Sequence, residues 1–326
     1  MRSMIVQDLD LGGRQPVSHE FRRGCINVVL GRNRSGKTRL ARVLSGLETS
    51  APGTVVCSDG DVSGADARER RVALVYQAFV NYPNLTVAEN IASPMRAQGL
   101  SNSEREQRVQ DLSARLRIAD LLQRFPHELS GGQQQRVAIA RALAQDAGVL
   151  VMDEPLVNLD YKLREELEME LRALLADTDL TVIYNTSDPR DAFKLGDEVV
   201  LMAEHEIIQS GTPLEVYRNP HSLTAASLMS DPGVNVWSEE QSLRAVRPEH
   251  LTLDSERIGD IRFEVVLTGL ETNGSETFVH CSYQDNEWVA RLGGMRHFEM
   301  DSTLALAAAS GDVLQFARMD AAREHA

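Results

Sequence analysis

The chain has 326 residues, 42% hydrophobic and 25% charged, with a formal net charge of −14. That length suggests roughly two domains, and the composition is ordinary for a globular protein. The acidic excess argues against nucleic acid as a partner, because backbone binding runs on basic surface. No apolar run approaches the ~20 residues of a membrane-crossing helix, and residues 1–8 hold no apolar signal-peptide core. Cys25, Cys57 and Cys281 are unclustered, form neither a disulfide framework nor a zinc spacing, and fit a reducing cytoplasm.

Segment 25–30, Cys-Ile-Asn-Val-Val-Leu, is a short apolar run of the kind a buried parallel strand needs. Gly31, Arg32, Asn33, Arg34, Ser35, Gly36, Lys37 and Thr38 follow as a G-x-x-x-x-G-K-[ST] loop. In 39–47, Leu40, Val43, Leu44 and Leu47 then recur at helical spacing. Strand, loop and helix in that order are the context in which such a loop cradles phosphates, with backbone N–H groups and a helix N-terminus facing the anion. Lys37 is one of only three lysines among 34 basic residues. A compact ammonium suits β- and γ-phosphates where a planar guanidinium does not. The Thr38 hydroxyl is expected on Mg²⁺.

A second strand-like run, Val-Ala-Leu-Val-Tyr at 72–76, ends at Gln77. Amphipathic helices are expected over 104–117 and 119–124. Residues 129–136 read Leu-Ser-Gly-Gly-Gln-Gln-Gln-Arg and open a helical stretch over 133–144. Ser130, Gly131, Gly132 and Gln133 offer bare backbone at a helix start, an anion site; Ser130 also reads as an ordinary N-cap. A third apolar run, 149–152, ends in Asp153 and Glu154. An aspartate there holds Mg²⁺ directly or through water, and Glu154 stands where it would orient an attacking water. The pair also reads as a cap before the next helix. Leu156-Val-Asn-Leu-Asp160 follows, then a strand at 180–184 and the string Asn185-Thr-Ser187-Asp188.

These elements, in this order, resemble the ATP-binding subunit of an ABC transporter, most closely over 1–235. The resemblance implies an α/β P-loop NTPase domain over 1–235 with an inserted helical subdomain at about 78–145, followed by a small all-β OB-like domain over 236–326. It implies ATP and Mg²⁺ as cofactors and ATP hydrolysis as the reaction. By the same likeness Gln77 reaches the metal and the attacking water. Ser130, Gly131, Gly132 and Gln133 close over the γ-phosphate held by a partner's loop, so that ATP joins two chains, and Asp160 communicates across that interface. Tyr82, Leu85 and Val87 either line a groove for a short helix of the transmembrane subunit or are core residues.

Two positions depart from the family pattern. Ser187 stands where the switch histidine is expected, and it has neither an imidazole nor its reach. No histidine lies close in sequence to replace it; His127, His205 and His221 are expected at the surface. The first strand region carries no aromatic before Phe21, so adenine stacking, worth about 1 kcal/mol, is lost or supplied by Leu11 or Arg14. Either the chain pairs with a different ATP-binding subunit and its own loop forms the slower site, or Ser187 is tolerated in a symmetric pair.

Residues 211–220, Gly-Thr-Pro-Leu-Glu-Val-Tyr-Arg-Asn-Pro, resemble the end of the ATPase domain in the importer branch. Beyond about 235, strand-like runs at 242–253, 261–267, 276–282, 288–292 and 313–316 are punctuated by turn signals at 269–274 and 293–294. Short, evenly spaced strands suggest a small barrel of OB type. Few basic or stacking residues mark it as a nucleic-acid binder. Arg247-Pro-Glu-His250 and segment 270–276 resemble the regulatory barrel of carbohydrate-importing ABC ATPases. The resemblance implies a peripheral subunit on the cytoplasmic face of the inner membrane. Its partners would be transmembrane permease subunits, a second ATP-binding subunit and, indirectly, an extracytoplasmic solute-binding protein. The solute implied is a sugar, polyol, glycerol or glycerol-phosphate. An ATP-binding scaffold with little turnover, or an ABC ATPase working without a membrane partner, remain the alternatives.

Overall fold

The computed structural model describes residues 3–48, 51–57, 60–67, 69–78, 80–157, 159–176, 178–239, 242–254 and 261–317. Cα packing divides the chain into Met1–Glu215 and Val216–Ala326.

In the first unit β1 (Met4–Leu9) and β2 (Val17–Phe21) precede β3 (Ile26–Leu30), every residue of which is buried. The loop 31–36 leads into α1 (Lys37–Leu44), which buries Leu40, Ala41, Val43 and Leu44. Leu47, placed on that face by its spacing, lies beyond the helix and is exposed. Next come β4 (Thr54–Cys57), β5 (Gly60–Asp61) and β6 (Val72–Val75). The helical segment contains α2 (Val87–Ala97), α3 (Asn102–Arg115) and α4 (Gly131–Leu143). Of these, α2 was not anticipated, although Thr86 and Glu89 form a capping box at its start, the sequence signature of a helix N-terminus. The helix expected over 119–124 is instead a single 3₁₀ turn, Ala119–Leu121.

The order resumes with β7 (Val149–Asp153), α5 (Tyr161–Ala176), β8 (Thr181–Thr186), α6 (Pro189–Leu195), β9 (Glu198–Ala203) and β10 (Glu206–Gly211). Six strands form one sheet in the order β10-β9-β3-β8-β7-β6. All are parallel except β10, which returns antiparallel beside β9. The phosphate-type loop therefore leaves the centre of the sheet at its carboxyl edge, with the ends of β7 and β8 beside it. In open α/β sheets that edge is where ligands bind. A second sheet, β2-β1-β4-β5, is antiparallel. Among the described residues no helix is long and apolar enough to cross a membrane.

α7 (Pro213–Arg218) carries the chain over the division, and α8 (Leu223–Leu228) follows. The second unit is otherwise strands: β11 (Asn235–Glu239), β12 (Ser242–Val246), β13 (Thr252–Leu253), β14 (Ile261–Thr272), β15 (Glu276–Tyr283), β16 (Asn286–Gly293), β17 (Thr303–Ala308) and β18 (Leu314–Ala317). They make two antiparallel sheets, β11-β12-β18 and β13-β17-β14-β15-β16. Trp237, Phe263 and Trp288 lead the core, with the Phe263 and Trp288 ring centres 4.9 Å apart. The change of sequence character near 235 marks where strands begin. The packing division falls earlier because Ala226 of α8 shares an apolar cluster with Leu243, Ala245 and Phe316. Gly269 was expected in a turn, but β14 runs through it with a register shift between Leu267 and Gly269; it marks a bulge. β17, Thr-Leu-Ala-Leu-Ala-Ala, was not anticipated, because only strand pairing overrides the weak β preference of alanine.

Candidate active site

The floor of the site is the 31–38 loop. Gly31 admits no side chain: a Cβ there would lie 2.4 Å from the Met202 carbonyl oxygen and from Ser35 Oγ. Gly36 has φ 104, in the left-handed region that glycine enters freely. Lys37 is 4% exposed. Its Nζ donates to the Gly31 carbonyl at 2.7 Å and the Arg32 carbonyl at 3.0 Å, and lies 3.4 Å from Glu154 Oε1. Burial pushes the ammonium below its ordinary pKa, while Glu154 and then Asp153 pull it back. Ser35 Oγ is buried without a hydrogen-bond partner. A buried ammonium and an unpartnered buried hydroxyl on a loop that opens a helix fit a phosphate group, and the two glycines let that loop pack closely on Met202 and His205.

The ends of β7 and β8 supply the carboxylates and their support. Thr38 Oγ1 donates to Asp153 Oδ1 at 3.3 Å. Asn185, fully buried in β8, donates from Nδ2 to that same Asp153 oxygen and to the Lys37 carbonyl, both at 2.9 Å. Asn185 thus ties the first turn of α1 to the end of β7 and aims Asp153 at Thr38. It was not among the residues assigned to the site from sequence, because its burial and both of its partners are set by the fold. Glu154 has φ 47, an unusual backbone for a residue with a side chain, and strain of that kind concentrates at functional sites. Its N–H donates to the Asn185 carbonyl at 3.1 Å. Among the described residues no three His, Cys, Asp or Glu side chains could jointly hold a metal. A hard cation here would take most of its ligands from phosphate and water.

Ser187 is exposed just past β8. With Glu154, Arg164, Tyr184, Asp188 and Asp191 it lines a cavity of about 20 Å³. Behind it Arg164 of α5 meets Glu168 at 2.8 Å, Asp188 at 2.9 Å and Asp191 at 2.7 Å. Thr186 Oγ1 donates to the second Asp191 oxygen at 2.5 Å. Burial holds the Asp191 carboxyl above the usual range. Burial pushes Asp188 up as well, but hydrogen bonds from Arg190 outweigh it and leave that carboxyl below the usual range. This ion cluster clamps the segment that carries Ser187.

The remaining candidates lie elsewhere. Gln77 is exposed two residues past the end of β6. Ser130 caps α4, its N–H donating to Gln133 Oε1 at 3.0 Å while its hydroxyl accepts from the Gln133 N–H at 3.4 Å. Gly131 is exposed. A Cβ on Gly132 would collide with Leu163 of α5, 2.2 Å away, so the small residue there serves helix packing as well. Asp160 Oδ1 accepts from the Leu163 N–H at 3.1 Å at the start of α5. Asn33 and Arg34 are exposed on the loop, as is Arg32. Tyr82 is exposed, with Arg141 stacked 4.9 Å from its ring centre, whereas Val87 is fully buried core.

Two expectations need correction. Leu11 is fully buried within the apolar cluster of β1, β2 and α1, so it has no face for a base; the exposed Arg14 does. His205, expected at the surface, is half-buried against the phosphate loop: its N–H donates to the Ser35 carbonyl at 2.9 Å.

Residues 14–157 match the ABC transporter family. The xylose/arabinose import ATP-binding protein XacK of Haloferax volcanii is 33% identical over 306 residues, covering 85% of this chain and 80% of that protein. The spermidine/putrescine import ATP-binding protein PotA of Thermotoga maritima is 40% identical over 246 residues, covering 76% of this chain and 66% of that protein. Among solved structures, CbiO1 of Clostridium perfringens, part of the ABC transporter complex CbiONQ, aligns with a TM-score of 0.60 at 25% identity. That alignment covers 66% of this chain and 90% of CbiO1. With a nucleotide-type loop at the sheet edge and relatives matched over most of their length, the chain belongs to the ABC transporter family, as an ATP-binding, ATP-hydrolysing import subunit.

Proposed function

We propose that residues 31–38, Asp153 and Glu154 form the ATP-hydrolysing site of an importer for a small polar solute. The observation that carries this reading is the convergence of two pairs at one edge of the sheet, Lys37 with Glu154 at 3.4 Å and Thr38 with Asp153 at 3.3 Å. Lys37 and the loop N–H groups would hold the β- and γ-phosphates. Thr38 and Asp153, with Gln77 as a further oxygen ligand, would hold Mg²⁺. When bound, that ion supplies charge neutralisation for phosphoryl transfer. Glu154 would orient the attacking water. Exposed Ser130 and Gly131, with the half-buried Gln133, suit contact with a nucleotide held by a second ATP-binding chain, with Asp160 near the same seam.

In this reading the chain works on the cytoplasmic face of the inner membrane, docked on transmembrane permease subunits that receive solute from an extracytoplasmic binding protein. The name of XacK favours a sugar as the solute, within the sugar, polyol and glycerol-phosphate class that the sequence resemblance implies; the name of PotA makes a polyamine the competing class. The C-terminal strands would act as a regulatory barrel. Because Ser187 offers no imidazole, the second ATP-binding chain is a different one, and this chain's own loop is the slower of two sites.

Purification of the chain from its native membranes, with mass spectrometry of what accompanies it, tests this. Two permease chains and a second ATP-binding chain with histidine at the switch position are expected. Repeated absence of any membrane protein sinks the import reading, and copies of this chain alone sink the asymmetric pair. In the isolated chain, Ser187→His should raise hydrolysis about tenfold or more; an unchanged rate removes the argument from Ser187.

A further inference from the structure

β9 and β10 join through the two-residue turn Glu204-His205, with Ala203 opposite Glu206. Both turn residues have positive φ, 48 and 67, where such hairpins favour Asn-Gly. Histidine tolerates that backbone less readily than glycine does. The ring sits against the nucleotide loop: its Cδ2 and Cγ are 3.0 and 3.3 Å from where a Cβ on Gly36 would be. The same hairpin grips the loop between β1 and β2. Glu206 Oε1 accepts from the N–H groups of Arg14 at 2.5 Å and Gln15 at 2.9 Å, and Glu204 lies 3.8 Å from Arg14. Gly13 is bare because a Cβ there would meet Glu206 Cγ at 2.7 Å. One turn therefore spans from the phosphate loop to the 12–15 loop.

We propose that His205 contacts the adenosine part of ATP bound on the 31–38 loop and supplies a flat face for base or ribose; this rests on that loop being the nucleotide's phosphate seat. Phosphates already have Lys37 and backbone N–H groups. The adenosine end has no ring from β1 or its following loop, since residues 4–16 contain no aromatic, and a purine face is satisfied by stacking on a planar side chain.

The test measures ADP and inorganic tripolyphosphate binding by calorimetry on the full chain. His205→Gly should weaken ADP about threefold to tenfold, leave tripolyphosphate unchanged, and keep or raise Tm, because glycine suits φ 67. His205→Phe should restore ADP affinity. An unchanged ADP affinity in His205→Gly overturns the proposal. So does an equal loss for ADP and tripolyphosphate, which would mean that His205 acts through the phosphate loop. Failure of the parent chain to bind ADP, or binding that survives Lys37→Ala, overturns the assignment of the 31–38 loop itself.

Discussion

Asn185→Ala probes whether the buried amide builds the site. Its Nδ2 makes two hydrogen bonds of 2.9 Å, one to the Asp153 carboxylate and one to the Lys37 carbonyl. A bond to a charged group is worth about 1.5–3 kcal/mol and a neutral one about 0.5–1.5 kcal/mol. Truncation should therefore cost about 2–4 kcal/mol, because both partners stay buried. Asn185 Oδ1 has no partner, so its removal adds nothing. For a unit of about 200 residues that loss lowers Tm by roughly 5–15 °C, read by calorimetry on nucleotide-free protein. Asp153 also loses the group that aims it, and loss of such support weakens a metal site about tenfold to hundredfold. The Mg²⁺ concentration giving half-maximal ATP hydrolysis should rise accordingly. A Tm within 1 °C or so of the parent would refute the energetic argument; a large drop in Tm with an unchanged Mg²⁺ requirement would refute the positioning role.

Arg164→Met should cost about 2–4 kcal/mol in urea unfolding, somewhat below the usual figure for a broken buried ion pair, because Arg164 is partly solvated. The deficit should shrink as pH falls from neutrality: burial already holds Asp191 above its ordinary range, and without Arg164 it takes up a proton in the fold more readily still. A pH-independent deficit would count against the ion cluster. Burial pushes the Cys281 thiol up to about 11 from 9.0. Below pH 9 the thiol is neutral folded or unfolded. As pH climbs from 9 to 11 the unfolded chain loses its proton first, so stability falls across that window, and Cys281→Ala should remove that part of the slope. At pH 8 a thiol reagent should modify the half-buried Cys25 and Cys57 while sparing Cys281.

The local devices of this protein were legible in its sequence because their physics is local. A phosphate loop is eight consecutive residues whose backbone does the work, and an apolar run before it and a helical period after it fix its surroundings. The Asp153-Glu154 pair at the end of an apolar strand and the Ser130 cap could be read for the same reason. Asn185 and His205 could not. Asn185 bonds partners 148 and 32 residues away, and His205 reaches Ser35 across 170 positions of chain. Only the parallel order β9-β3-β8-β7 brings those ends to one edge. Burial decided the rest. Leu11, a candidate for stacking on sequence alone, is core because β1, β2 and α1 close over it, and Gly269 lies in a bulged strand because β15 pairs along it. A sequence states which groups a segment can offer; which of them meet is set by strand order and by what is left without water when the layers close.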